Sequence, residues 1–347
     1  MKRMGLLFDR IADRRTLSIA LHDAARGKHG RWEVRQWLQD SDRRLNHLAA
    51  TLRDGSFRFE GYRTFQVRDT KTRTIQAPTF RDRVVHQAII HATGPAFETG
   101  AYHHSYACRK GRGQHAAIFQ ALRWIRRESS FLKIDIEKFY DSVDHAMLQV
   151  MLQRRFSETR LLELWEQVLG SYSTQPYKGI PIGALTSQYL GNFYLDVVDR
   201  FAKQSQRIRY YLRYMDDMLF FGSHHELCSL RKMLLDFLSR IGLAGKHGGA
   251  LNRCELGVPW LGFVLYPNRQ RLNPPAKQRL RRKMNLLTKQ WNQERIDPAE
   301  FQRRSESLVA HAAADRQAIR RSCQPAIHRL SREHDEPWPR SMNFSFE

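Results

Sequence analysis

The stretch "LRYMDDML", Leu212 to Leu219, sets Asp216 and Asp217 side by side between apolar runs. Two like charges in a segment that otherwise wants burial cost desolvation energy and mutual repulsion unless something positive neutralises them. Magnesium, a hard and oxygen-seeking cation, is a natural counter-charge. Two such ions about 3.5–4 Å apart can clamp an in-line phosphoryl transfer, and they need carboxylates from more than one strand. A third carboxylate is therefore required elsewhere. Asp135 in "FLKIDIEKFY" is the best candidate, at the exit of an apolar strand where a side chain can point into a site. Taken singly, the acidic pair reads equally as a turn and Asp135 as a helix cap.

The elements that must position these residues follow from the pattern around them. The chain has 347 residues, 41% of them hydrophobic, enough for one large or two to three smaller packed units. Lys and Arg number 58 against 35 acidic residues, a net charge of +23 that points to a polyanion partner. Nucleic acid is preferred over a membrane surface. No apolar run reaches the roughly 18 residues of a membrane span, and "MKRMGLLFDRIADRR" becomes charged again too soon for a signal peptide. Cys108, Cys228, Cys254 and Cys323 lie far apart with no C-x-x-C pair, so no zinc site and a reduced cytoplasmic setting are expected. The histidine pairs in "YHHS" and "SHHE" read as surface polar residues.

Residues 1 to 55 carry helical periodicity with a stop at Gly55, and "YRTFQVRDTKTRTIQAP" alternates about a turn at "DTKT". "FRDRVVHQAIIHATGPAFE" is helical. "RIRYYLRY" and "MLFFGS" are strands flanking the acidic pair, and "HELCSLRKMLLDFLSRIGL" is an amphipathic helix ending at Gly242. Residues 276 to 330 read as basic helices, and the tail from 331 has no periodicity. This order predicts an α+β core followed by a helical appendage.

The acidic pair and Asp135 together, in this order, resemble the palm of reverse transcriptases. The resemblance runs from about residue 5 to about residue 325. "YMDD" resembles the third palm motif and "GIPIGALTSQYLGNFYL" the second. "KTRTIQAPTFRDRVVHQAI" and "SYACRKGRGQHAAI" resemble fingers motifs, and "WLGFVL" the primer grip. The resemblance implies a right-hand polymerase fold: fingers, a palm whose antiparallel sheet carries the YMDD hairpin, and a helical thumb. The implied divisions are a helical extension over 1–60, fingers over 61–125, palm over 126–265 with interleaved fingers helices at about 150–180, thumb over 266–330, and a tail over 331–347.

It also implies an RNA-directed DNA polymerase using two Mg2+ ions, with Mn2+ able to substitute. Asp135 and Asp216 would hold the metals, with Asp217 weaker and Ile136 beside them. Arg73 and Arg109 would grip the incoming triphosphate, since a planar guanidinium binds phosphate oxygens in pairs; both also read as basic residues on a solvated loop. Lys246 in "LAGKHGG" would protonate the leaving pyrophosphate, or is merely part of a Gly-rich turn. Tyr140 would exclude a 2′-hydroxyl, and is also a core aromatic beside Phe139. Ile136, Ile182, Gly183 and Gln188 complete the nucleotide contacts, with Gly183 letting the template–nucleotide pair approach the backbone. Trp260, Leu261, Gly262 and Phe263 would form the primer grip, Gly262 letting a backbone come close to the primer.

Within the family, the form "IGALTSQ" resembles the reverse transcriptases of diversity-generating retroelements, whereas group II intron enzymes usually read Q-G-x-x-x-S-P. That lineage implies dNTP substrates, a template RNA from the enzyme's own locus, an RNA–DNA duplex, a small helical oligomeric accessory protein, and misincorporation opposite adenine. A defence-associated enzyme with its own non-coding RNA shares the same core, and an inactive RNA-binding scaffold is a third reading.

Overall fold

The structure, a computed structural model, describes residues 5–68 and 72–312. It divides into two compact units, one ending at Asn252 and the other starting at Arg253.

The first unit opens with helices Phe8–Ile11, Arg14–Ala25, Trp32–Gln39 and Ser41–Asp54. Leu17, Ala20, Leu21 and Ala24 recur at helical spacing, and all are buried on one stripe of the second helix. The side chain of Asp13 caps that helix by accepting from the backbone N–H of Thr16 at 2.9 Å. The fourth helix stops at Gly55, whose φ of 78° is the left-handed geometry of a helix C-cap. Strands β1 (Tyr62–Arg68) and β2 (Thr72–Pro78) then form an antiparallel hairpin, in register from Tyr62 opposite Pro78 to Arg68 opposite Thr72. The tip, residues 69–71, lies outside the described residues. Helix Phe80–Gly100 is apolar on most sides, with Val84, Val85, Ala88, Ile89 and Ala96 wholly buried, and forms the spine of the unit.

The site is carried by a four-stranded sheet of β3 (Ser130–Asp135), β4 (Tyr210–Tyr214), β5 (Asp217–Gly222) and β6 (Ala250–Arg253) in the order β4-β5-β3-β6. Central β3 and β5 are near-continuous apolar runs because they are covered on both faces. Leu132, Ile134, Met218, Leu219 and Phe220 have no exposed surface. Residues 104–106 lie along the outer edge of β4, where the N–H of Arg213 donates to the carbonyl of His104 and the carbonyl of Arg213 accepts from the N–H of Tyr106. Helix His224–Arg240 follows β5 and starts with a capping box between Ser223 and Glu226.

The second unit contains a three-stranded antiparallel sheet of β7 (Val258–Trp260), β8 (Phe263–Leu265) and β9 (Gln270–Leu272). Two helices follow, Pro274–Asn292 and Pro298–Ala312. The basic helical reading therefore divides at Asp297, whose side chain caps the second helix through the N–H of Glu300 at 2.7 Å. Leu280, Met284 and Leu287 form the buried stripe of the first helix, and Trp291 meets Phe301 across the pair at 4.7 Å. The rest of the expected helix, residues 313–330, the tail and Cys323 lie outside the described residues. Among the described residues, no helix is long and apolar enough to cross a membrane.

One surface expectation is corrected. His104 is half-buried rather than a fully exposed surface residue. Its ring packs edge-on to Trp124 at 4.8 Å and Nδ1 meets the Tyr106 hydroxyl at 2.9 Å. Burial, and after it the neighbouring His103, push its pKa down to about 4, so it is neutral at pH 7.

Candidate active site

β3 ends and β5 begins at the same edge of the sheet, which sets Asp135 directly opposite Asp217. Asp216 occupies the two-residue turn between β4 and β5, where Tyr214 pairs with Asp217. The turn is tight: Met215 takes a φ of +52°, a left-handed value costly for a residue with a side chain. Three carboxyl groups thus come from two adjoining strand ends and one turn.

The site is short of positive charge at its centre. Burial pushes the Asp216 carboxyl up to about 6, and Asp135 and Asp217 add to the rise. Burial raises Asp217 as well, opposed by Lys133. Lys133 lies two residues before Asp135, hence on the same face of β3, and its Nζ is 3.1 Å from Asp217. Lys246 lies 3.6 Å from Asp135. Asp217 and Asp135 lean toward these two lysines. The three-carboxylate metal cluster expected from the sequence is not gathered: among the described residues, no group of three or more His, Cys, Asp or Glu is arranged to hold a metal ion. The donor set itself, hard carboxylate oxygens beside a carboxyl raised by burial and by its like-charged neighbours, fits a divalent cation.

The other expected residues separate into those brought here and those that are not. Arg73 on β2 pulls the pKa of Asp216 down by its charge, against the net rise, and it acts on Tyr140 in the same direction. Tyr140 is half-buried against Phe139 at 5.6 Å, and burial raises its phenol with Asp216 nearby. Ile136 is a buried side chain whose backbone bridges to Gly245, next to Lys246. Gln188 is exposed on helix Leu185–Tyr194.

Arg109 is committed elsewhere. Its guanidinium pairs with Glu98 at 2.9 Å and donates to the carbonyls of Tyr102 at 2.6 Å and Ser105 at 2.9 Å. With only 10% of its side chain exposed, it is a staple of its own loop rather than a free phosphate fork.

Ile182 and Gly183 also differ from expectation. The N–H of Ile182 donates to the side chain of Gln76 at 3.0 Å, and its carbonyl accepts from the N–H of Gln76 at 2.8 Å. Gly183 has φ +127°, and a Cβ there would stand 2.9 Å from the Gln76 carbonyl and 2.8 Å from Ile75. The approach of β2 is by itself enough to require a glycine at this position.

In the second unit, Trp260 pairs with Phe263 across a two-residue turn formed by Leu261 and Gly262. Their φ values of 46° and 86° fit a type I′ hairpin, so turn geometry demands Gly262. Trp260 and Phe263 are buried, and the carbonyl of Gly262 accepts from Asn273, the cap of the following helix. These four residues belong to the second compact unit.

Sequence reasoning missed Lys133, Gln76 and the buried group of Arg213, Asp199 and Asn192. The signal for Arg213 was present: an arginine inside the apolar run "YYLRYM" has to be buried and therefore paired.

The chain is similar to several known proteins. The COX1/OXI3 intron 1 protein of Saccharomyces cerevisiae is 22% identical over 284 residues, covering 63% of this chain and 34% of its own length. The group II intron-encoded protein LtrA of Lactococcus lactis is 24% identical over 173 residues, covering 47% of this chain and 29% of its own. Among solved structures, apo telomerase from Candida tropicalis, truncated from its C-terminal domain, aligns with a TM-score of 0.48 at 11% identity, over 62% of this chain and 55% of that one. The chain spans about a third of the length of the curated relatives it matches. Residues 66–247, more than half of the chain and including Arg73, Asp135, the YMDD turn and Lys246, match the family described as Reverse transcriptase (RNA-dependent DNA polymerase), and the chain belongs to that family.

Proposed function

We propose that this chain is an RNA-directed DNA polymerase that extends a primer with dNTPs along a template RNA. The observation that supports it is the meeting of Asp135 and Asp217 across adjoining strand ends, with Asp216 half-buried in the turn beside them. Asp135, Asp216 and Asp217, with the backbone of Ile136, would hold divalent cations, Mg2+ or Mn2+ in its place. Bound there, the cations supply Lewis-acid charge that activates the attacking oxygen and offsets charge on the α-phosphate. The chain's own residues position the reactants. Arg73 offers its guanidinium to the triphosphate oxygens. Lys246, beside Asp135, holds a proton for the leaving pyrophosphate. The ring of Tyr140 excludes a 2′-hydroxyl, and Gln188 lies along the nucleotide contacts. On this reading residues 61–125 are fingers, 126–265 palm and 266–330 thumb, with Trp260 to Phe263 as primer grip. The exposed basic side chains of helix Pro274–Asn292 then track the RNA–DNA backbone.

We further assign the chain to the error-prone enzymes of diversity-generating retroelements, working with a template RNA from its own locus and a small helical accessory protein. The support is "IGALTSQ", together with the double bonding of the Ile182 backbone to Gln76, which leaves only an apolar side chain for a nucleotide. A defence-associated enzyme with a dedicated non-coding RNA shares the core; a template and variable repeat beside the gene separates the two. The activity is tested by Asp216→Asn in primer extension on RNA with Mg2+. Extension should be lost while RNA affinity is retained. Extension within a few-fold of wild type would overturn the assignment and leave the RNA-binding scaffold.

A further inference from the structure

We infer that Arg213 is the positioning residue for Asp216: anchored by Asp199 beneath the sheet edge, its guanidinium grips the main chain of the turn that presents the acidic pair. The inference rests on the polymerase reading of that pair.

Arg213 stands three residues before Asp216 and only 1% of its side chain is exposed, as is true of Asp199. A buried guanidinium costs several kcal/mol unless its charge and its donors are met. Here each of its five N–H groups has an acceptor. Nε donates to Asp199 Oδ1 at 2.9 Å and Nη2 to Oδ2 at 2.6 Å, a two-pronged ion pair. Nη2 also donates to the carbonyl of Asn192 at 3.3 Å. Nη1 donates to Asn192 Oδ1 at 2.9 Å and to the carbonyl of Met215 at 3.2 Å. The Tyr211 hydroxyl adds a bond to Asp199 at 2.6 Å. Burial alone would push the guanidinium's proton affinity down, but Asp199 outweighs it and holds the group above its ordinary range.

The bond to Met215 links this network to the site. Met215 is the residue at φ +52°, and its carbonyl belongs to the peptide that leads into Asp216. Holding that carbonyl fixes the plane from which the Asp216 side chain sets off. Backbone strain at such a residue persists only where its surroundings over-determine it. The surroundings include the Met215 methyl, 3.6 Å from where a Cβ on Gly191 would stand, on the helix that supplies Asn192. A lysine at 213 would keep the charge opposite Asp199 but lose the fork that reaches Asn192 and Met215 together.

Buried ion pairs can often be exchanged for apolar residues of similar volume with little loss of stability, which separates positioning from folding. The test uses the full chain on a DNA primer annealed to RNA, with Mg2+ titrated and thermal melting measured in parallel. The variants are Arg213→Lys and the combination Arg213→Met, Asp199→Leu, Tyr211→Phe; should the combination not fold, Arg213→Lys carries the test. Expected are melting near wild type, an unchanged KM for primer–template, and a kcat lower by about 100-fold, the scale of an ångström misplacement. The Mg2+ concentration for half-maximal rate should rise several-fold. A folded variant with wild-type kcat and Mg2+ midpoint overturns the inference. So does a kcat that falls only in proportion to the unfolded fraction, with the midpoint unmoved. Asp216→Asn run alongside distinguishes the two failures. If it extends primers, the polymerase reading fails; if it is dead while Arg213→Lys is normal, only the positioning role fails.

Discussion

Replacing Asp216 by asparagine should stabilise the fold while abolishing synthesis. Lifting the Asp216 carboxyl from 3.8 to about 6 corresponds to about 3 kcal/mol of destabilisation once the group is ionised, at about 1.4 kcal/mol per tenfold change in acidity. Asparagine keeps the shape and removes the charge, though its buried amide forfeits part of the gain, leaving roughly 2 kcal/mol. For a domain of this size that is roughly 4–8 °C in Tm. The sign with pH follows from linkage. An acid with a raised folded-state value binds more protons folded than unfolded, so its contribution to stability falls as pH rises from about 4 to about 6 and is flat above. The advantage of Asp216→Asn over wild type should therefore be near zero at about pH 4 and full at pH 7. Chemical denaturation of both proteins without divalent cations, across that range, measures the difference directly, and titrating groups not coupled to Asp216 cancel in the subtraction. Added Mg2+ should narrow the gap by binding the folded wild type. An asparagine variant no more stable than wild type at pH 7, or a gap that does not close toward pH 4, would refute this account of the site's electrostatics.

Tyr140→Ala should admit ribonucleotides, because the half-buried ring sits within the fields of Asp216 and Arg73; selectivity equal to wild type in ribonucleotide incorporation would make the ring core packing only. Ile182→Gln should lower misincorporation opposite template adenine more than opposite the other bases, read by sequencing cDNA from a defined RNA. An adenine error rate already no higher than the rest would move the lineage reading to the defence-associated enzymes. RNA affinity should fall steeply between about 50 and 200 mM salt, with a log–log slope of several units as phosphate counterions are released. A binding constant independent of salt would contradict an electrostatic groove.

Much of this was legible where the chain enforces one outcome locally. The acidic pair in an apolar hairpin, the strand exit at Asp135 and the stop at Gly55 each carry their own physical constraint, and the structure places them in those roles. What escaped were decisions made at a distance. Arg109 looked available because Glu98 and two carbonyls meet it only through the loop's fold. Gly183 invited a ligand explanation because nothing in its neighbourhood announces β2, more than a hundred residues earlier in the chain. His104 passed as a surface residue until Trp124 closed over it.

The strand order β4-β5-β3-β6 has a consequence for biosynthesis. Both neighbours of β3 lie later in the chain, β5 starting about eighty residues on and β6 more than a hundred. At about 5–20 residues per second, "SFLKID" leaves the ribosome and waits roughly 5–20 s with both hydrogen-bonding edges unsatisfied. An apolar strand in that condition is a template for wrong pairing. The yield of soluble enzyme should thus depend on translation speed and on chaperones that cover this one segment, and slower, cooler expression should favour the chains that reach Arg253 unpaired with one another.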